Sequence, residues 1–88
     1  MSLARDLRTG YGHSVTIADD FAALREHLWL KAASNPQRRI CVVAVRGQGW
    51  FDDETGYFIG PVKNFWIDQM RAEGLTVEPV EDAWSLAW

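Results

Sequence analysis

Apolar positions along this chain change period several times, and each change marks an element. Ser14-Val15-Thr16-Ile17-Ala18 alternates polar and apolar, the period of a half-buried strand. Phe21, Leu24, Leu28 and Ala32 then recur at helical spacing, with Arg25, Glu26 and Lys31 around the other side. Asp19 or Asp20 is placed to cap that helix, its carboxylate accepting the free backbone N–H groups of the first turn. Asn35-Pro36 closes it, because a residue before proline avoids the α region.

Ile40 to Val45 is a continuous, mostly β-branched run, the pattern of a central strand. Gly47 and Gly49 interrupt it and predict a bulge or bend. Trp50-Phe51 resumes an extended pattern, residues 52–56 carry turn chemistry, and Tyr57-Phe58-Ile59 returns as a partner strand. Residues 40–59 therefore predict one long bent hairpin. Gly60-Pro61 predicts the start of a second helix with Val62, Phe65, Trp66, Gln69 and Met70 facing inward. Gly74 and Leu75 suit a Schellman stop. Leu75 to Pro79 alternates, and Pro79 confines it to an edge or a bulge. Residues 83–88 alternate strictly as a strand, although a short helix also fits.

Strand, helix, two strands, helix, strand is the ferredoxin-like split βαβ order. The chain thus predicts a single α+β domain over residues 1–88: an antiparallel sheet with two helices on one face, a loosely patterned segment at 1–12, and an extra Trp-rich segment at 83–88. Eighty-eight residues with 48% hydrophobic and 24% charged side chains fit a globular domain of this size. Cys41 is the lone cysteine, which points to a reducing, cytoplasmic setting. No apolar run is long enough to predict a membrane span or a secretion signal.

Charge is divided unevenly. Residues 1–46 carry seven Lys/Arg against four acids, and residues 47–88 two against eight. The five tryptophans accentuate this, because three stand beside acidic clusters. Trp66, Phe65 and Phe21 fall on inner helical stripes and predict core, whereas Trp29 is ambiguous. Trp50, Phe51, Asp52, Asp53, Glu54, Tyr57, Glu81, Asp82, Trp84 and Trp88 form the candidate partner-binding set: aromatics ringed by carboxylates, the anatomy of a protein-binding hot spot.

Catalytic chemistry is thin. Cys41 lies inside an apolar run, where cysteine behaves as a small hydrophobe. His13, His27 and Cys41 lack metal-ligand spacing, so no metal, cofactor or catalytic residue is expected. Arg46-Gly47-Gln48-Gly49-Trp50 partly matches the RNA-recognition-motif signature, but Gln48 replaces its first stacking aromatic and Asp53 its last. In size, acidity and lack of catalytic residues the chain resembles phage-encoded inhibitors of bacterial defence, of the anti-CRISPR and anti-restriction type. That resemblance implies a non-enzymatic blocker docking on the basic surface of a CRISPR effector subunit or nuclease in the host cytoplasm. The alternatives are a module binding RNA or single-stranded DNA, and a dimer binding a small ligand between subunits.

Overall fold

The structure is a computed structural model that describes residues 3–9 and 20–88; the strand expected at 14–18 lies outside them. Three helices and five strands follow in order: α1 (Leu3–Thr9), α2 (Ala22–Ser34), β1 (Ile40–Arg46), β2 (Gly49–Asp52), β3 (Phe58–Pro61), α3 (Trp66–Ala72), β4 (Thr76–Val80) and β5 (Ala83–Ala87). The strands form one antiparallel sheet in the order β3-β2-β1-β5-β4. The fold is thus α+β, as expected. Among the described residues the neighbours of β1 are β2 and the C-terminal strand β5, an order different from the ferredoxin-like one. The residues at 83–87, open between strand and helix from pattern alone, are a strand because they pair on both sides, with β1 and with β4.

Strand parity assigns the two faces. Pairings Val45↔Trp50, Val43↔Asp52, Cys41↔Leu86, Val43↔Trp84 and Val77↔Leu86 put all these side chains on one face. That face meets Leu24 and Leu28 of α2, Trp66 and Met70 of α3, and Ala4 and Leu7 of α1 in a single core. A string of rings runs through it, Phe21 to Trp50 to Trp66 to Trp84, with centroids 6.4, 5.9 and 5.8 Å apart. The opposite face carries Val42, Ala44, Phe51 and, across from Phe51, Phe58. Gly49 lies under that aromatic pair, where a Cβ would come within 2.7 Å of the Phe58 ring.

Several local expectations hold. α2 ends at Ser34 before Asn35-Pro36, and Leu24, Leu28 and Ala32 are its buried stripe. Below α3, Gly74 N–H bonds Arg71 C=O and Leu75 N–H bonds Met70 C=O, the two bonds of a Schellman motif, with Gly74 at φ 91°. Pro79 stands on β4, an edge of the described sheet.

Others are corrected. Gly47 does not bend a long strand but reverses it: Arg46 pairs with Gly49, leaving Gly47 (φ 60°) and Gln48 as a two-residue turn. A positive φ at the first central position is the II′ arrangement that suits the sheet's twist. Pro61 closes edge strand β3 instead of opening a helix, since Gly60 pairs with Trp50 across the sheet. Phe65 consequently sits before α3 at φ 60° and is 80% exposed, not core. Phe21 is the cap residue of α2, with no side-chain cap bond, in place of Asp19 or Asp20. No helix among the described residues is long and apolar enough to cross a membrane.

Candidate functional site

Asp52 ends β2 in phase with Trp50, so its carboxylate points into the core face, where its side chain is wholly inaccessible. A buried carboxylate is costly unless every lone pair is met. Here they are. Oδ1 accepts the backbone N–H groups of Glu54 at 2.8 Å and Thr55 at 3.1 Å, which tightens the turn at residues 53–56. Gly56 N–H adds a bond to the Asp52 carbonyl at 2.7 Å, with Gly56 at φ 77°. Oδ2 faces α2 and meets His27 Nε2 at 2.6 Å and Lys31 Nζ at 2.9 Å. His27 and Lys31 lie one helical turn apart, so both reach the same oxygen.

Burial by itself would raise the Asp52 pKa. The Lys31 ammonium, His27 and the two backbone N–H groups outweigh it and hold the carboxyl at about 2. Cys41, on β1, brings its Sγ within 4.0 Å of Oδ2. Burial, then the Asp52 charge, pushes this thiol up to about 12, and the nearby Lys31 and Arg38 offset only part of the rise. Cys41 is therefore a neutral thiol and a poor nucleophile.

The cluster fixes a turn with two grooves beside it. One, of about 600 Å³, is lined by His27, Leu30, Lys31, Ser34, Thr55, Gly56 and Tyr57. Tyr57 is 62% exposed and stacks flat on His27, centroids 5.6 Å apart, while Leu30 is 53% exposed. The other, of about 490 Å³, is polar and includes Arg38, Arg39, Asp53 and Glu54. Across it Glu54 pairs with Arg38 at 2.9 Å and stands 3.7 Å from Lys31.

The expected binding set is thereby divided. Trp50 and Asp52 are buried, and Trp88 is buried too, so none of the three presents itself to a partner. The physical reason is strand parity, which turns Trp50 and Asp52 inward together, and the bond from Trp88 N–H to Arg39 C=O that seats the last residue. Trp84 is half-buried against Trp66. Phe51 is half-buried on the opposite face. Asp53, Glu54 and Tyr57 are exposed at the β2–β3 turn. Glu81 and Asp82 are exposed too, but at the β4–β5 turn, the other end of the sheet. The carboxylates do not form one anionic patch: Asp52 and Glu54 are paired within the chain.

Pattern reading missed His27, Lys31, Leu30 and Cys41 as neighbours of this turn. One signal was available. A two-residue turn after Arg46 keeps Trp50 and Asp52 in phase with Val45 and Val43, which marks Asp52 as a core-facing carboxylate needing cations. Compared with known proteins, the chain matches no family model, no curated protein and no solved structure. The fold and site define a helix-backed antiparallel α+β domain with a buried carboxylate hub.

Proposed function

We propose that this chain is a non-catalytic protein-binding module that engages its partner through the groove between α2 and the β2–β3 turn. The observation that carries the reading is a rigid exposed pair. Tyr57 on the β2–β3 turn and Leu30 on α2 stand open to solvent, and the buried Asp52 ties their two elements together, holding the turn backbone through two N–H bonds and α2 through His27 and Lys31. Such preorganisation raises affinity because the loop loses little freedom on binding, and tyrosine is a common hot-spot side chain. The polar atoms of the cluster face one another instead of a substrate, which favours binding over catalysis.

The partner that fits presents an apolar side chain to the groove and Lys or Arg groups to Asp53 and the exposed flank of Glu54. A stoichiometric blocker of a nucleic-acid-handling protein, of the anti-CRISPR kind, is one role for such a module. The test is capture from a bacterial lysate with the tagged chain, identified by mass spectrometry. Leu30→Ala with Tyr57→Ala should abolish capture of any basic partner while the circular dichroism is retained, and unchanged capture would move the interface elsewhere. Asp52 does not belong in such a variant, because its loss disturbs the fold itself.

A second reading rests on the other face of the sheet. Phe51 and Phe58, centroids 5.2 Å apart, share it with Arg46 and could stack single-stranded RNA or DNA bases. Salt-dependent binding lost in Phe58→Ala would support it; no binding at low salt would remove it.

A further inference from the structure

His27, Cys41 and Asp52 come from three different elements, α2, β1 and β2, yet their ligating atoms all lie within 4.8 Å of one another. One nitrogen, one sulfur and one carboxylate oxygen make a donor set suited to zinc. We propose that these three side chains form a binding site for a thiophilic divalent cation of the zinc class, with Lys31 as the group that yields its place. The site shares His27 and Lys31 with the wall of the Tyr57–Leu30 groove, but it is tested by metal binding alone and does not depend on a protein partner.

The geometry is close to what the ion needs. Tetrahedral zinc, at about 2.0–2.3 Å from each donor, holds its donors about 3.3–3.7 Å apart. His27 Nε2 and Asp52 Oδ2, now 2.6 Å apart, must separate by under an ångström, and Cys41 Sγ must close on Oδ2 from 4.0 Å by a few tenths. The third pair, His27 Nε2 and Cys41 Sγ, lies within 4.8 Å and must close by at most roughly 1.3 Å. Oδ1 is already tied by two backbone N–H groups, the usual outer support of a ligating carboxylate, so Oδ2 can exchange its Lys31 contact for the cation without loosening the carboxylate.

Charge also balances. The Lys31 ammonium at 2.9 Å from Oδ2 holds the position of a positive charge, and Glu54 Oε1 waits 3.7 Å away to receive it. When the cation binds, the Cys41 S–H bond breaks, its proton passes to water, and the sulfur's electron pair forms the metal–sulfur bond. The proton that His27 Nε2 shares with Asp52 Oδ2 also passes to water, leaving a neutral ring that ligates through Nε2 with its remaining N–H on Nδ1. Thiolate and carboxylate then supply two negative charges against the ion's two positive ones, while Lys31 moves to Glu54. Water fills the fourth position from the side that Lys31 leaves.

Cobalt(II) is the probe, added alone to the full chain in a phosphine reductant free of other thiols. One cobalt per chain, with sulfur-to-cobalt charge-transfer absorption in the near ultraviolet, is the expected result. Cys41→Ser should delete that absorption. Lys31→Met, which removes the ammonium competing for Oδ2 and repelling the cation, should tighten binding by about tenfold or more, a gain that a purely structural cluster would not give. Absence of the charge-transfer band up to millimolar cobalt would overturn the site. So would a band that survives Cys41→Ser, or an affinity that falls in Lys31→Met. Lys31→Met leaves the three donors in place, so the test stands even if Cys41→Ser fails to fold.

Discussion

Trp50 is the residue on which the core closes. It is fully buried and touches both Phe21 and Trp66 by ring contacts. Its indole N–H has no acceptor among the described residues. Two substitutions separate its volume from its polarity. Trp50→Ala should cost about 3–5 kcal/mol by opening a cavity. Trp50→Phe loses some volume but also removes an unmet buried donor, which by itself costs about 1–3 kcal/mol. Its net cost should therefore be about 1 kcal/mol or less by urea unfolding; a loss near that of alanine would show that the N–H does have a partner. At this scale the tryptophan surplus is structural. Trp50, Trp66 and Trp88 are buried, and Trp29 and Trp84 pack against the same core. Among the described residues the exposed aromatics are Tyr57, Phe58 and Phe65 instead. Residue type alone does not separate these cases, because a ring serves a core and an interface equally well.

At the scale of elements, the turns show how closely local chemistry matches backbone demand. Gly47, Gly56 and Gly74 all supply positive φ where a turn or helix stop requires it. The β4–β5 turn does not follow this rule: Glu81, at φ 56°, takes the first central position between Val80 and Ala83. A side chain there costs about 1–2 kcal/mol, partly offset by the entropy glycine would lose on folding. Glu81→Gly should therefore stabilise the domain by roughly 0.5–1 kcal/mol, seen as a higher thermal midpoint. A lower midpoint would show that the Glu81 side chain makes a stabilising contact. The elements themselves were largely legible. The 3.6-residue stripe of α2, the β-branched run of β1 and the Gly74–Leu75 stop are local signals, and the backbone obeys them. Pro61 misled because proline suits an edge strand as well as a helix start, and only pairing with β2 selects between them.

For the whole molecule, the Asp52 hub couples layers that would otherwise be joined mainly by apolar packing. It links α2 to the β2–β3 turn, while Arg25 and Glu73, 2.7 Å apart, link α2 to the end of α3. Because the folded chain holds the Asp52 pKa at about 2, below the ordinary 3.8, its ionised form stabilises the fold. That contribution is complete above about pH 4 and is lost as pH falls from about 4 towards 2. For a shift of this size it is on the order of 2 kcal/mol. Unfolding free energy of the metal-free chain should fall over that window, and Asp52→Asn should flatten the fall. An unchanged slope in Asp52→Asn would assign the acid sensitivity to other carboxylates.

The charge asymmetry between the two halves of the sequence also takes its meaning at this scale. Lys31 and Arg38 from the basic half neutralise Asp52 and Glu54 from the acidic half across the sheet-to-helix boundary. By itself the sequence determined what depends on neighbours in the chain: the stripe of α2, the β-branched run of β1, the Gly74–Leu75 stop and the edge character of β4. Tertiary structure decided what depends on pairing across the fold. Register with β1 turned Trp50 and Asp52 inward, and α2 laid His27 and Lys31 over the carboxylate. These contacts join residues 11 to 25 positions apart. No local pattern encodes which of them meet, because the energy that brings them together comes from burying the whole core at once.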